Sequence, residues 1–227
     1  MRITVVGSGY VGMSMALVLG QSNDVTIFDI DTKRVSLINK NLSPINEPDI
    51  EKELKTKSFS LKATLNKEEA YIDAQIIIIA TTTHYDTNLN FFDTSTVESV
   101  IKDILQINKK SLIVIKSTIP VGFTNQIKKK FSSEDIIFVP EFLREGKALH
   151  DNLYPSRIIV GGDSNIAKEF GELLKSSAKK KDVELIFMQS SEAEAVKLFS
   201  NTYLAMRVSF FNELDTFATM KTLNSEK

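Results

Sequence analysis

Residues 2–12 read RITVVGSGYVG, an apolar, β-branched run that breaks into Gly7-x-Gly9-x-x-Gly12. Asp29 closes the next apolar run, VTIFD. Strand, glycine turn, helix, strand and acid, with the acid about 20 residues on, form the context that a dinucleotide-binding turn requires. Each residue type has a physical task. Gly7 permits a tight turn, Gly9 keeps side-chain atoms away from a pyrophosphate, and Gly12 lets the helix pack closely on the strand. The helix then points unpaired N–H groups and its positive dipole end at the phosphates. Asp29 can accept hydrogen bonds from an adenosine ribose. The bland alternative is a glycine turn that binds nothing.

Around that motif the composition narrows the class. The chain has 227 residues, 42% of them hydrophobic, enough for one large domain or a domain plus part of another. No apolar run approaches bilayer length, and the first residues, MRITVVGSG, already read as a strand and its turn. A cleaved leader is therefore not expected, and the reading is a cytoplasmic protein without membrane attachment. There are no cysteines, so neither a disulfide framework nor a thiolate metal site is expected, and the two histidines, His84 and His150, are isolated. A net charge of −1 argues against nucleic acid as a partner. Lys128-Lys129-Lys130 and Lys179-Lys180-Lys181 fall near the ends of predicted helices, where cations are solvated at the negative end of a dipole.

Outward from the motif, strand-like runs alternate with helical patterns. The runs are ITVV, VTIF, QIIIIA, SLIVIK, IIFV, RIIV and VELIFM. Helical patterns cover about 11–21, 32–40, 94–108, 122–131 and 164–180. Continuous apolar strands between helices predict a Rossmann-type, doubly wound α/β fold with a mostly parallel sheet buried on both faces. Val97, Ile101, Ile104 and Leu105 share one face of a crossover helix that Asp93 or Thr94 can cap. Residues 41–60, with Pro44 and Pro48, read as a surface excursion with a short helix in its second half. From Ser190 to Lys227 there is no Pro or Gly, and a helical pattern continues throughout. Ser191 with Glu194 suggests a capping-box start. The chain thus divides into a nucleotide-binding domain over 1–189 and a long connecting helix over 190–227. Met206, Phe210, Phe211, Leu214 and Phe217 of that helix are expected to lack partners within the chain.

Ligands of parallel sheets sit beyond the carboxyl ends of the strands. Residues 81–83, all threonine, follow QIIIIA; Ser117 and Thr118 follow SLIVIK; the segment PEFLREG, from Pro140 to Gly146, follows IIFV. Hydroxyls there can approach a nicotinamide or its ribose, or serve as ordinary helix caps. Glu141 and Glu145 would face the same way on a helix, with Arg144 beside them, or belong to a solvated turn. Lys197 and Asn201 lie one helical turn apart, where an ammonium and an amide suit an oxyanion, or lie exposed on an amphipathic helix.

With IKSTIPVGFT, PEFLREGKALHDNLYPSRIIVGG and SEAEAVKLFSNTYLAMRVSFFNELD in view, the chain resembles the nucleotide-sugar 6-dehydrogenases, and among them the bacterial UDP-glucose enzymes. The resemblance runs from Met1 to about Asn224. It implies oxidation of the C6 alcohol of UDP-glucose through an aldehyde to the carboxylate of UDP-glucuronate, with two NAD per turnover. It implies a nucleotide site of Gly7, Gly9, Tyr10, Val11, Gly12, Asp29, Arg34, Thr83, Thr118 and Glu145, and a substrate site of Glu141, Phe142, Leu143, Arg144, Glu145, Lys197 and Asn201. Thr118, Glu141, Glu145, Lys197 and Asn201 would carry the catalytic roles, among them water positioning, proton transfer and oxyanion stabilisation. The full-length enzyme would form a homodimer through the central helix. Arg34 raises the question of NADP, because an arginine can accept a 2′-phosphate; Asp29 at the strand end repels one, which favours NAD.

The chain departs from that pattern in one respect. The family nucleophile is a cysteine in a Gly-rich segment beyond the region of resemblance, and this chain contains no cysteine. A thiolate traps the aldehyde for the second hydride transfer. The expectation is an amino-terminal portion that binds NAD and is inactive alone. The alternatives are an NAD(H)-sensing module, or a GDP-mannose or UDP-N-acetylhexosamine 6-dehydrogenase.

Overall fold

The computed structural model describes residues 1–56, 59–86 and 91–224. In chain order its elements begin with β1 (Arg2–Val6), α1 (Tyr10–Gly20), β2 (Asp24–Phe28), α2 (Thr32–Asn39), α3 (Pro48–Thr56), β3 (Ser60–Thr64), α4 (Lys67–Tyr71) and β4 (Ile76–Ile79). A hairpin of β5 (His84–Asp86) and β6 (Phe91–Asp93) leads to α5 (Ser95–Ile107), β7 (Leu112–Ile115), α6 (Phe123–Phe131) and β8 (Ile136–Phe138). Then follow α7 (Ala148–Leu153), β9 (Arg157–Gly161), α8 (Asn165–Ser177), β10 (Glu184–Met188) and α9 (Ser190–Met220).

The main sheet has the order β10-β9-β8-β7-β4-β1-β2-β3. Pairing is parallel from β3 across to β8, then antiparallel between β8 and β9, and parallel again between β9 and β10. The expected doubly wound α/β fold is therefore present, with its last two strands reversed. The chain runs outward from β1 through β2 to β3, then returns to β4 and proceeds the other way. The switch point between β1 and β4 opens a crevice at their carboxyl ends.

Burial explains the strand runs. All four residues of β4 and all four of β7 are buried, and successive residues face opposite layers. Ile76 and Ile78 join Ile3, Val5 and α1 on one side. Ile77 and Ile79 join Val97, Ile101 and Ile104 of α5 on the other. Helix α1 is buried from Gly12 to Gly20 because it is enclosed by the sheet on one side and by α3, α7 and α8 on the others.

Several local readings change. Ser60–Thr64 forms an edge strand beside β2 inside the segment read as an excursion, and α4, α7 and the β5–β6 hairpin are additional elements. Helix α3 starts with Pro48 at its first position, where the missing N–H costs nothing. Helix α5 follows Thr94, but it is Asp93 that accepts the Ser95 N–H, at 2.9 Å. Helix α8 stops at Ser177, so Lys179, Lys180 and Lys181 follow it rather than forming its last turn. Helix α9 ends at Met220, about 46 Å along at the standard rise, while residues 225–227 of the expected helix lie outside the described residues. Its capping box is Gln189 with Glu192, not Ser191 with Glu194. No helix among the described residues is long and apolar enough to cross a membrane.

Candidate functional site

The glycine turn leaves β1 at the switch point. Gly7 has φ +97, and a Cβ there would lie 2.8 Å from Ala80 O at the end of β4. Its N–H donates to Phe28 O at 2.8 Å, tying the turn to β2. A Cβ on Gly12 would lie 1.9 Å from Gly7 O, so only glycine lets α1 approach this closely. Gly9 differs. A Cβ there would meet nothing within 4 Å, and its φ is an ordinary −77. The protein has no steric need for glycine at position 9; the open space in front of that backbone fits a ligand. Gly9 is the N-cap of α1 and supplies no side-chain acceptor, so first-turn N–H groups around Tyr10 and Val11 remain for an outside anion. These features fit a dinucleotide diphosphate.

Asp29, at the end of β2, holds the loop from its other side. Its Oδ2 accepts from Ser8 N at 2.8 Å and Ser8 Oγ at 2.5 Å, and its Oδ1 accepts from Asp31 N at 3.0 Å. The carboxylate is thus oriented before any ligand arrives, with Oδ1 keeping acceptor capacity. Arg34 sits on the first turn of α2, its guanidinium 3.8 Å from Asp31, the residue that caps the helix.

Parallel pairing brings the segments after β4, β7 and β8 to the same edge of the sheet. Thr81 and Ser117 hydroxyls are 3.4 Å apart, and Ser117 Oγ donates to Thr81 O at 2.7 Å, joining two of these loops. Thr83 and Thr118 are half-buried on them.

The segment after β8 is not helical, so Glu141 and Glu145 do not share a helical face. Glu141 turns inward. Its Oε1 meets Lys197 Nζ at 2.9 Å, and its carbonyl accepts from the same ammonium at 2.7 Å. The two side chains are only 9% and 11% exposed, so Lys197 is a buried ion-pair partner rather than a solvated lysine. Phe142 lies beneath two cations, with Arg157 4.6 Å and Lys197 5.8 Å from its ring centre. Arg144 takes its ion-pair partner from elsewhere. It forks onto Asp151 of α7, with Nη2 to Oδ1 at 2.7 Å and Nε to Oδ2 at 3.0 Å. That hydrogen bond holds the Asp151 carboxyl down at about 2, below its ordinary 3.8. Asp151 therefore adds stability above pH 3.8, and the contribution is lost as pH falls toward 2. Glu145 lies exposed in a turn beside Gly146, and Asn201 is exposed where α9 leaves the body of the domain.

A cleft of about 300 Å³ collects Glu141, Phe142, Leu143 and Arg144 together with Arg157 and Lys116, neither of them singled out from the sequence. Lys116 is the last letter of the run SLIVIK. It is 4% exposed and donates to Val139 O at 3.3 Å. Burial pushes its ammonium down to about 8, against the opposing pull of Glu141. No cluster of three or more potential metal-ligating side chains occurs among the described residues.

The model of the UDP-glucose/GDP-mannose dehydrogenase family, NAD binding domain, matches residues 1–177, and that of the family's central domain matches 191–227. A UDP-glucose 6-dehydrogenase of Campylobacter jejuni is 51% identical over 227 residues, covering 99% of this chain and 58% of that protein. One from Streptococcus pneumoniae is 50% identical over 230 residues, with the same two coverages of 99% and 58%. The chain therefore spans less than two thirds of the length of these relatives. Among solved structures, a GDP-mannose dehydrogenase ternary complex from Pseudomonas aeruginosa superimposes with a TM-score of 0.87 at 26% identity, over 99% of this chain and 54% of that one. The chain belongs to the UDP-glucose/GDP-mannose dehydrogenase family and carries its NAD-binding domain.

Proposed function

We propose that this chain is the amino-terminal, NAD-holding portion of a UDP-glucose 6-dehydrogenase. The observation that carries the reading is one of placement: the bare Gly9 backbone and the buried pair of Glu141 and Lys197 stand on the same carboxyl edge of the sheet. Residues 7–12 hold the diphosphate of NAD, Asp29 holds the adenosine ribose, and Arg34, Thr83, Thr118 and Glu145 complete the nucleotide site. NAD, when bound, supplies the hydride acceptor. Glu141, Phe142, Leu143, Arg144, Glu145, Lys197 and Asn201 receive the sugar nucleotide. Thr118 positions water, Glu141 takes up a proton and Lys197 steadies an oxyanion. A sensing module has no use for an ammonium and a carboxylate buried together beside the crevice, which favours the enzyme reading.

The domain division belongs to the same proposal. Residues 1–189 form the nucleotide domain, and within 190–227 helix α9 pairs with a second copy in the full-length enzyme. Its outer half displays Met206, Phe210, Phe211, Leu214 and Phe217, each at least half exposed.

With no cysteine in the chain, the aldehyde has no thiolate to trap it. The expected result is NADH binding by calorimetry, without UDP-glucuronate on incubation with UDP-glucose and NAD. Adding the remaining portion of a close relative, with its cysteine, restores product. Sustained UDP-glucuronate formation by the 227-residue chain alone overturns the proposed division of labour. Product from GDP-mannose but not UDP-glucose in the reconstituted mixture overturns the substrate.

A further inference from the structure

Helix α7 spans only Ala148–Leu153, yet it is tied to three separate parts of the chain. The Leu149 N–H donates to the carboxylate of Glu47, just before α3, at 2.8 Å. Asn152 Nδ2 donates to Ser14 Oγ of α1 at 2.8 Å. Asp151, one residue earlier, accepts from Arg144 three times, from the backbone N–H at 3.0 Å as well as from the guanidinium fork. Consecutive residues of a helix point about 100° apart, so adjacent positions of one short helix can hold two different neighbours.

Those two neighbours are the two halves of the candidate site. Ser14 is fully buried one turn into α1, and its hydroxyl donates back toward Tyr10 O at 2.7 Å and Val11 O at 3.0 Å. A hydroxyl has one proton to give. By donating to Ser14 Oγ, Asn152 commits that proton to the first turn of α1, the turn that opens at the bare Gly9 backbone. Residues 141–145 form neither helix nor strand. Among the described residues, two hydrogen-bonded side chains from elsewhere anchor them: Lys197 at Glu141 and Asp151 at Arg144. Met15 of α1, Asn152, Asp151 and Arg144 line one cleft, so no other layer separates the two halves.

We propose that α7 couples the nucleotide turn to the segment 141–145, with Asn152 and Asp151 as positioning residues: through their adjacent bonds to Ser14 and Arg144, a ligand that tightens the first turn of α1 also steadies that segment. The identity of the ligand as NAD, and of residues 141–145 as sugar-binding, rests on the functional reading above; the link from Ser14 to Arg144 does not.

Amide hydrogen exchange at Arg144, followed by NMR on the whole chain, tests the link. Without ligand, Ser14→Ala and Asn152→Ala remove the same bond from its two ends. Each should speed Arg144 exchange about fivefold, the worth of one hydrogen bond, and the double variant should be no faster than the faster single one. Saturating NADH should slow that exchange about tenfold in the wild type and less than about twofold in Asn152→Ala at equal occupancy. A merely structural Asn152 lowers the melting temperature but leaves the slowing by NADH as large as in the wild type, and so does direct contact between nucleotide and segment; that result overturns the proposal. Bound NADH that leaves wild-type Arg144 exchange unchanged also overturns it. So does unchanged exchange in unliganded Ser14→Ala, which deletes a single oxygen and decides the matter even if Asn152→Ala fails to fold. Amides of residues 10–12 that ignore NADH refute the nucleotide-site reading, and the unliganded variants then decide the link alone.

Discussion

Gly9→Val weakens NADH binding by about 100-fold or more, about 2.8 kcal/mol, while changing stability by no more than about 1 kcal/mol. The reason is that a Cβ at position 9 meets no protein atom within 4 Å, and the φ of −77 suits any residue. The added methyls occupy only the space in front of the α1 N-terminus, where a diphosphate takes its hydrogen bonds. Gly12→Ala does the opposite. Its new Cβ falls 1.9 Å from Gly7 O, backbone that cannot swing aside. The cost is about 3 kcal/mol, close to the ceiling for ordinary overpacking, and binding is lost only along with the fold. Melting curves and NADH titrations on both variants separate the two effects. A stable Gly9→Val chain that still binds NADH with unchanged affinity removes this loop from the nucleotide site. A Gly12→Ala chain as stable as wild type contradicts the close packing of α1.

These two glycines also mark how far the sequence alone carries the reading. Gly7, Gly9, Gly12 and Asp29 lie within one β1-α1-β2 unit, so spacing specifies both their local structure and their grouping. The central strands were equally legible, since Ile76–Ile79 and Leu112–Ile115 have no polar residue to place outside. Edge strand β3 was not, because three of its five residues are at least partly exposed and SLKAT carries little apolar signal. Strand direction was not legible either. RIIV looks the same in both senses, and only the antiparallel step between Phe138 and Gly161 reveals the reversal.

Within the site, the unread parts are the non-local ones. Glu141 and Lys197 are 56 positions apart, and nothing near either residue shows that the lysine is buried. Lys116 is hidden by β8 and α9, elements that follow it in the chain. The family resemblance named Glu141 and Lys197 but supplied neither the pairing nor Lys116. A helical turn over 141–145 would group Arg144 with the glutamates, but the segment is not helical and Arg144 forks onto Asp151 of α7, an element without a hydrophobic pattern of its own.

Glu194 is the sharpest case, because a local rule gave it the wrong partner. Three residues after Ser191 it resembles the second half of a capping box, yet it is 1% exposed and reaches across to α6. Its Oε2 accepts from Gly122 N at 2.5 Å, and its Oε1 accepts from Thr124 N at 2.8 Å and Thr124 Oγ1 at 2.5 Å. Gly122 is the N-cap of α6, with φ +91, and offers no side-chain acceptor of its own. The carboxylate therefore serves as the cap from a distance and also faces the positive end of the α6 dipole. Glu194→Ala strands three donors around a cavity, and hydrogen bonds to a charged acceptor contribute about 1.5–3 kcal/mol each. Because such losses are not additive, the expected destabilisation is about 3–5 kcal/mol, a fall in melting temperature of about 10 °C for a chain of this length. Glu194→Gln retains the shape and one acceptor oxygen but turns an amide donor toward N–H groups, so roughly half the loss persists. The effect concentrates where it is most informative. Residues 116–122 join β7 to α6 and carry Thr118, and Glu194 anchors their far end to the same helix whose next turn carries Lys197. Amide hydrogen exchange in Glu194→Ala should accelerate first at residues 122–126, before the sheet opens. If the variant melts within about 1 kcal/mol of wild type and exchange there is unchanged, α9 does not cap α6 and the loop bearing Thr118 is held by something else.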